Sequence, residues 1–144
     1  MRFSLSIMIC SLLLVSCTQE PKNPFNINEE PLSSNAEVKA STWIGYSDFS
    51  YELKNLTENF TKDYAIEKTR TLLSTSQALL YSIPGNLRNE IINEKATELV
   101  QVTKDLYNAM TTKSEAEITE GLHKIVDAYT ALNKEINYYM ENQE

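Results

Sequence analysis

The stretch Ile118–Tyr139 reads ITEGLHKIVDAYTALNKEINYY. Within it Ile118, Leu122, Ile125, Tyr129, Leu132, Ile136 and Tyr139 recur at alternating steps of four and three. Such steps return to the same side of an α-helix, so these residues form one apolar seam of a and d positions. A half-buried strand would instead alternate every second residue. Just upstream, Ser114-x-x-Glu117 and Thr112-x-x-Glu115 both fit a capping box. Glu120 and Lys124 stand at i,i+4 in the favourable order for a surface ion pair. A helix with so long a seam needs other helices to cover it.

Those partners are visible upstream. Leu87, Ile91, Ile92, Ala96, Leu99, Val102, Leu106, Ala109 and Met110 form a similar face. Pro84-Gly85 supplies the turn before it, with Asn86 as the candidate cap. Ala65, Thr69, Leu72, Ser76, Leu79 and Ile83 make a third face, widened by Leu73 and Leu80. Tyr46, Phe49, Leu53, Leu56 and Phe60 make a fourth and shorter one. Between Phe60 and Ala65 the register jumps by five. We read a break near Thr61–Asp63, where either residue can cap the next helix; one continuous kinked helix is the alternative. Short connections favour antiparallel neighbours. The expectation is an all-α domain over residues 36–144, an up-down-up-down four-helix bundle behind a flexible N-terminal tether. Trp43 and Ile44 are expected to cover one end of it.

Composition narrows the role. The 144 residues carry 13 Lys+Arg against 20 Asp+Glu, a net charge of −7. An acidic domain repels phosphate backbones and anionic headgroups, so no nucleic acid partner is expected. Both cysteines, Cys10 and Cys17, lie in the first seventeen residues. No disulfide, thiol nucleophile or Cys-based metal site is therefore expected in the folded part.

Residues Phe3 to Val15 form a thirteen-residue run that is apolar apart from Ser4, Ser6 and Ser11. A membrane-spanning helix needs about 20 apolar residues. This run has instead the length of a signal-peptide core, preceded by Arg2. It ends at Leu14-Val15-Ser16-Cys17. That motif resembles the lipobox of bacterial lipoproteins, with Leu three residues before the cysteine and a small residue just before it. Val15 and Ser16 depart from the commonest residues of the motif. The resemblance implies that Cys17 receives a diacylglycerol, that cleavage falls between Ser16 and Cys17, and that the new amine is often acylated. It covers residues 1–17 and implies nothing about the fold behind them. Residues 1–16 are thus expected to be a cleaved lipoprotein signal peptide, and the membrane partner is reached through lipid on Cys17. Two or three acyl chains anchor stably where one binds reversibly. The competing readings are a buried helix with an inert Cys17 and a plain secretory signal.

Residues 17–35 read as the lipidated cysteine and a flexible linker, with Pro21, Pro24, Pro31, several Asn and no apolar period. Docking of Phe25 and Ile27 on the domain is the minor alternative. Thr18 is not the Asp that retains enteric lipoproteins at the inner membrane, which favours the outer membrane.

Residues with chemical potential are few. Glu120-x-x-His123 has the spacing of half a di-iron site, but His123 is the sole histidine and falls at a solvent-facing position. Haem ligation through His123 with Met110 or Met140 fails on the same geometry, and no Cys-x-x-Cys-His is present. Glu90, Glu94 and Glu98 step along one helix and read as a solvated face, helped by Arg88 and Lys95. No Gly-x-Ser-x-Gly elbow exists. Catalytic residues, metal and cofactors are accordingly expected to be none. Asn55-Leu-Thr57 and Asn59-Phe-Thr61 match glycosylation sequons that a bacterial lipoprotein does not normally use. Of the eight tyrosines, Tyr51, Tyr64, Tyr107 and Tyr138 fall off the seams, where tyrosine favours interfaces. They are the candidate partner-binding residues.

The expected function is a non-enzymatic, lipid-anchored protein of the bacterial cell envelope, on the periplasmic or surface face. Its helical domain would bind another envelope protein of unknown identity. The alternative is a small-ligand carrier with a pocket between the helices.

Overall fold

The computed structural model describes Phe25 and residues 30–142. Signal peptide 1–16, cleavage at Ser16–Cys17, lipidation at Cys17, and Cys10 and Ile27 lie outside the described residues. Within them the chain forms five helices and no strand: α1 Ser34–Ala40, α2 Ile44–Glu58, α3 Lys62–Tyr81, α4 Glu90–Ala109 and α5 Glu115–Glu141. None of these helices is long and apolar enough to cross a membrane.

The helix boundaries have local causes. Thr61 caps α3 by accepting the Tyr64 N–H at 3.2 Å, so residues 46–83 form two helices. Ser114 and Glu117 complete the capping box of α5, with the Ser114 N–H donating to Glu117 at 2.9 Å. The cap of α4 is Asn89, which accepts the Ile92 N–H at 2.9 Å, and not Asn86. Pro84 and Gly85 begin a tight turn that is extended by a Leu87 N–H to Pro84 carbonyl bond, and this delays the helix. Leu87 still fills the core from that turn.

The apolar faces are buried as their periodicity predicts. Leu53, Leu72, Leu79, Leu99, Ile118, Leu122, Ile125, Leu132 and Ile136 are wholly inaccessible. Ile91 and Ile44 differ: each is at least half exposed, because one sits at the edge of its stripe and the other on the outside of α2. Of the pair Trp43 and Ile44, it is Trp43 that enters the core, with no exposure and its indole N–H donating to the Leu79 carbonyl at 2.9 Å.

Consecutive helices pack on each other: α2 on α3, α3 on α4, α4 on α5. Glycine sets two of these distances. A Cβ on Gly45 would sit 2.6 Å from the Ala78 carbonyl carbon and the Leu79 nitrogen, so the start of α2 lies against the end of α3. A Cβ on Gly121 would meet Leu106 Cδ1 at 2.6 Å, so the start of α5 lies against the end of α4. By contrast, the α2 and α5 backbones approach each other far less than these neighbours do.

Residues 30–35, expected as free linker, pack on this side. Leu32 contacts the core, Ser33 caps α1, and α1 rests on α5. Phe25 is buried as well, against Phe60 at 5.4 Å and His123 at 4.8 Å between ring centroids. The docking of Phe25 therefore replaces the free-tether expectation at that residue.

Candidate functional site

Between α2 and α5, under α1, lies an open groove of about 650 Å³. Its walls come from Glu37, Ala40 and Ser41 at α1, from Tyr46, Ser47, Ser50, Tyr51 and Lys54 on α2, and from Tyr129 and Asn133 on α5. Pro31 and Leu32 close one edge. The groove exists because long polar side chains, rather than close backbones, bridge the two helices.

The bridge is continuous. The Tyr46 hydroxyl donates to Asn133 Oδ1 at 2.7 Å. The Tyr129 hydroxyl lies 2.8 Å from that of Tyr46 and 3.0 Å from Ser50 Oγ. Asn133 Nδ2 donates to the Glu30 carbonyl at 3.0 Å. One turn on, Asn137 Nδ2 donates to the Pro31 carbonyl at 2.9 Å and its Oδ1 accepts the Ser33 N–H at 2.8 Å. The rings of Tyr46 and Tyr129 stack at 5.7 Å, flanked by Trp43 and Phe49. Burial, then the Tyr129 phenol, and more weakly the Glu37 carboxylate, push the Tyr46 phenol far above its ordinary range. Tyr46 is therefore a proton donor throughout the physiological range.

The four candidate tyrosines fall in different places. Tyr51 is two-thirds exposed and lines this groove. Tyr138, also exposed, lines a second and more apolar groove of about 310 Å³ with Ile91 and Tyr139, between α4 and α5. Tyr64 packs against the core and holds the Lys68 ammonium 5.6 Å from its ring centroid. Tyr107 is exposed near the end of α4 and lines neither groove. Among the described residues Tyr81, which was not among these four, is the most exposed large apolar side chain.

The other candidates stand apart from the groove. His123 is exposed at the Phe25 ring, and Glu120 pairs with Lys124 at 2.7 Å. Met110 is buried and Met140 half-buried. Glu90, Glu94 and Glu98 are exposed, with Lys95 reaching Glu98 at 3.0 Å, while Arg88 turns to the Ile83 carbonyl. Among the described residues no group of His, Cys, Asp or Glu is placed to hold a metal ion.

Sequence reasoning missed Ser50, Asn133 and Asn137. A signal was present: Tyr129, Asn133 and Asn137 recur every fourth residue, a polar stripe beside the apolar seam. No protein-family model, no curated protein and no solved structure matches this chain.

Proposed function

We propose that this chain is a lipid-anchored, non-enzymatic binding protein of the bacterial envelope, held to the membrane through Cys17 and favouring the outer membrane. In this reading α2–α5 form an up-down-up-down four-helix bundle that α1 covers at one corner. The bound species is a small ligand in the groove between α2 and α5. One observation carries that choice: the α2–α5 side stays open, at a volume typical of small-molecule sites, and mixes aromatic walls with a few inward polar groups.

Native mass spectrometry of the full-length protein, extracted from its own envelope in nonionic detergent, tests it. A small molecule should accompany the wild-type chain and be absent from a Ser47→Trp variant, whose indole fills the groove. Identical masses beyond the substitution itself sink the groove reading. Separately, Cys17→Ser should abolish the lipid mass increment and release the chain from the membrane fraction. Unchanged fractionation sinks the anchor.

Binding of an envelope protein is the second reading. It is favoured by the apolar groove at Ile91, Tyr138 and Tyr139.

A further inference from the structure

Phe25 is the point at which the anchoring segment meets the fold, and its place on α5 selects the end of the domain that faces lipid. The ring is buried between Phe60, just past α2, and His123 on α5. His123 stands eight residues into α5 from Glu115 and eighteen residues before Glu141. At about 1.5 Å per residue, the pinned ring lies about 12 Å from the start of α5 and about 27 Å from its end.

Cys17 precedes Phe25 by eight residues. Such a length reaches at most about 28 Å when fully extended. Its r.m.s. span as a flexible chain is about 16 Å. The start of α5 therefore lies inside the ordinary reach of the anchor. The far end takes up the whole extended length and leaves none to enter the headgroups. Without Phe25 this preference is lost. The next described hold on the segment is Asn133, which takes the Glu30 carbonyl eight residues before the end of α5. Glu30 is thirteen residues from Cys17. Thirteen residues reach about 45 Å, which covers both ends.

The near end also has a surface suited to lipid. In the bundle proposed above, its turns are Asn59-Phe60-Thr61 and residues 107–112, YNAMTT. Neither turn carries a charge, in a chain of net charge −7. Beside them Lys62 and Lys113 stand against Glu58, Asp63 and Asp105. Tyr107, which lines neither groove, is exposed there. Tyrosine suits the headgroup layer, where its ring is covered and its hydroxyl stays wet.

We propose that these two turns face the lipid headgroups, and that the α3–α4 turn and the groove at Ile91 and Tyr138 point away from the membrane. Burial of Phe25 enforces this orientation. It rests on the anchor at Cys17.

The test uses the lipidated chain, purified from its own envelope and reconstituted into phosphatidylcholine vesicles whose headgroups carry a nitroxide. A fluorophore is placed on Thr112→Cys in one sample and on Asn86→Cys in another; both positions are exposed. The Cys17 thiol is consumed by its lipid and takes no label. Nitroxide should quench the label at Thr112→Cys and spare the one at Asn86→Cys, because α5 holds the two ends about 40 Å apart. Equal quenching, or stronger quenching at Asn86→Cys, overturns the orientation and leaves the anchor standing. A chain that does not float with the vesicles overturns the anchor and the orientation together. Two changes address Phe25. Insertion of about sixteen Gly-Ser residues between Glu20 and Pro21 raises the r.m.s. reach to about 27 Å and alters no described residue. It should abolish the difference between the two labels, and Phe25→Ser should do the same. A difference that survives either change overturns Phe25 as the device that orients the domain.

Discussion

The α2–α3 interface and the α2–α5 gap are held by different kinds of force. At the first, Gly45 lets the α2 backbone rest on Ala78 and Leu79, and Trp43 and Leu79 are wholly buried. At the second, the backbones stay apart and two phenols, a serine and an asparagine reach across. Apolar burial stabilises by about 1.5–3 kcal/mol per large side chain, without directional demands. A hydrogen bond contributes about 0.5–1.5 kcal/mol net and requires one geometry. The close interface therefore supplies stability, and the gap supplies a surface with oriented donors and acceptors.

The largest expected effect is on the close side. Trp43→Ala removes the wholly buried indole and strands the Leu79 carbonyl, and should cost about 3–5 kcal/mol in urea unfolding. On the gap side, Asn133→Ala leaves the Tyr46 hydroxyl and the Glu30 carbonyl without this partner, and should cost about 2 kcal/mol. A larger loss for Asn133→Ala than for Trp43→Ala would break the comparison. It would mean that the polar bridge, not the apolar interface, carries the fold.

The same contrast decides what could be read in the sequence. Ala65, Thr69, Leu72, Ser76, Leu79 and Ile83 were legible as a buried face, because every turn of a helix repeats one choice of side. The capping box at Ser114 and the pair Glu120–Lys124 were legible because their partners lie within four residues. Asn133 and Glu30 are 103 residues apart, and Tyr46 and Asn133 are 87 apart. No local period reports such a pairing. Tyr46 and Tyr129 were assigned to the seams correctly, yet their hydroxyls, which build the groove floor, carry no period of their own. Residues 30–35 were misread for the same reason. Their proline and polar composition is that of a linker, but Asn133 and Asn137 satisfy their backbone from the far end of the chain.

A third measurement sharpens the comparison through pH. Tyr46 keeps its proton in the folded state well above the ordinary phenol value, chiefly through burial. Its contribution is fully present below the unfolded phenol value near pH 10 and declines as pH rises beyond it. One such phenol lowers stability by about 1.4 kcal/mol for each pH unit above 10 while it remains protonated in the fold. Tyr46→Phe should remove that share of the alkaline slope in denaturant titrations between pH 9 and about 11. An unchanged slope would show that the phenol at the gap is as free to ionise as one in water.

The smallest effect comes from the acid side and reports a region that belongs to neither interface. The Ser114 backbone and side chain hold the Glu117 carboxyl below its ordinary value, with Lys113 adding to this. A depressed carboxyl contributes stability above its unfolded value, and that contribution is lost as pH falls through the lower, folded value. The carboxylate is solvent-exposed, so the change should be slight and further reduced by salt. Glu117→Gln should slightly reduce the slope of the acid limb of the stability profile and leave the alkaline limb intact, while Tyr46→Phe should reduce the alkaline slope and leave the acid limb intact. Additivity of the two in the double variant is expected, because one group caps α5 and the other faces Asn133 more than four turns along it. Coupling between the limbs would instead mean that the gap opens when the start of α5 frays. The α2–α5 groove would then be set by the stability of one helix rather than by its own hydrogen bonds.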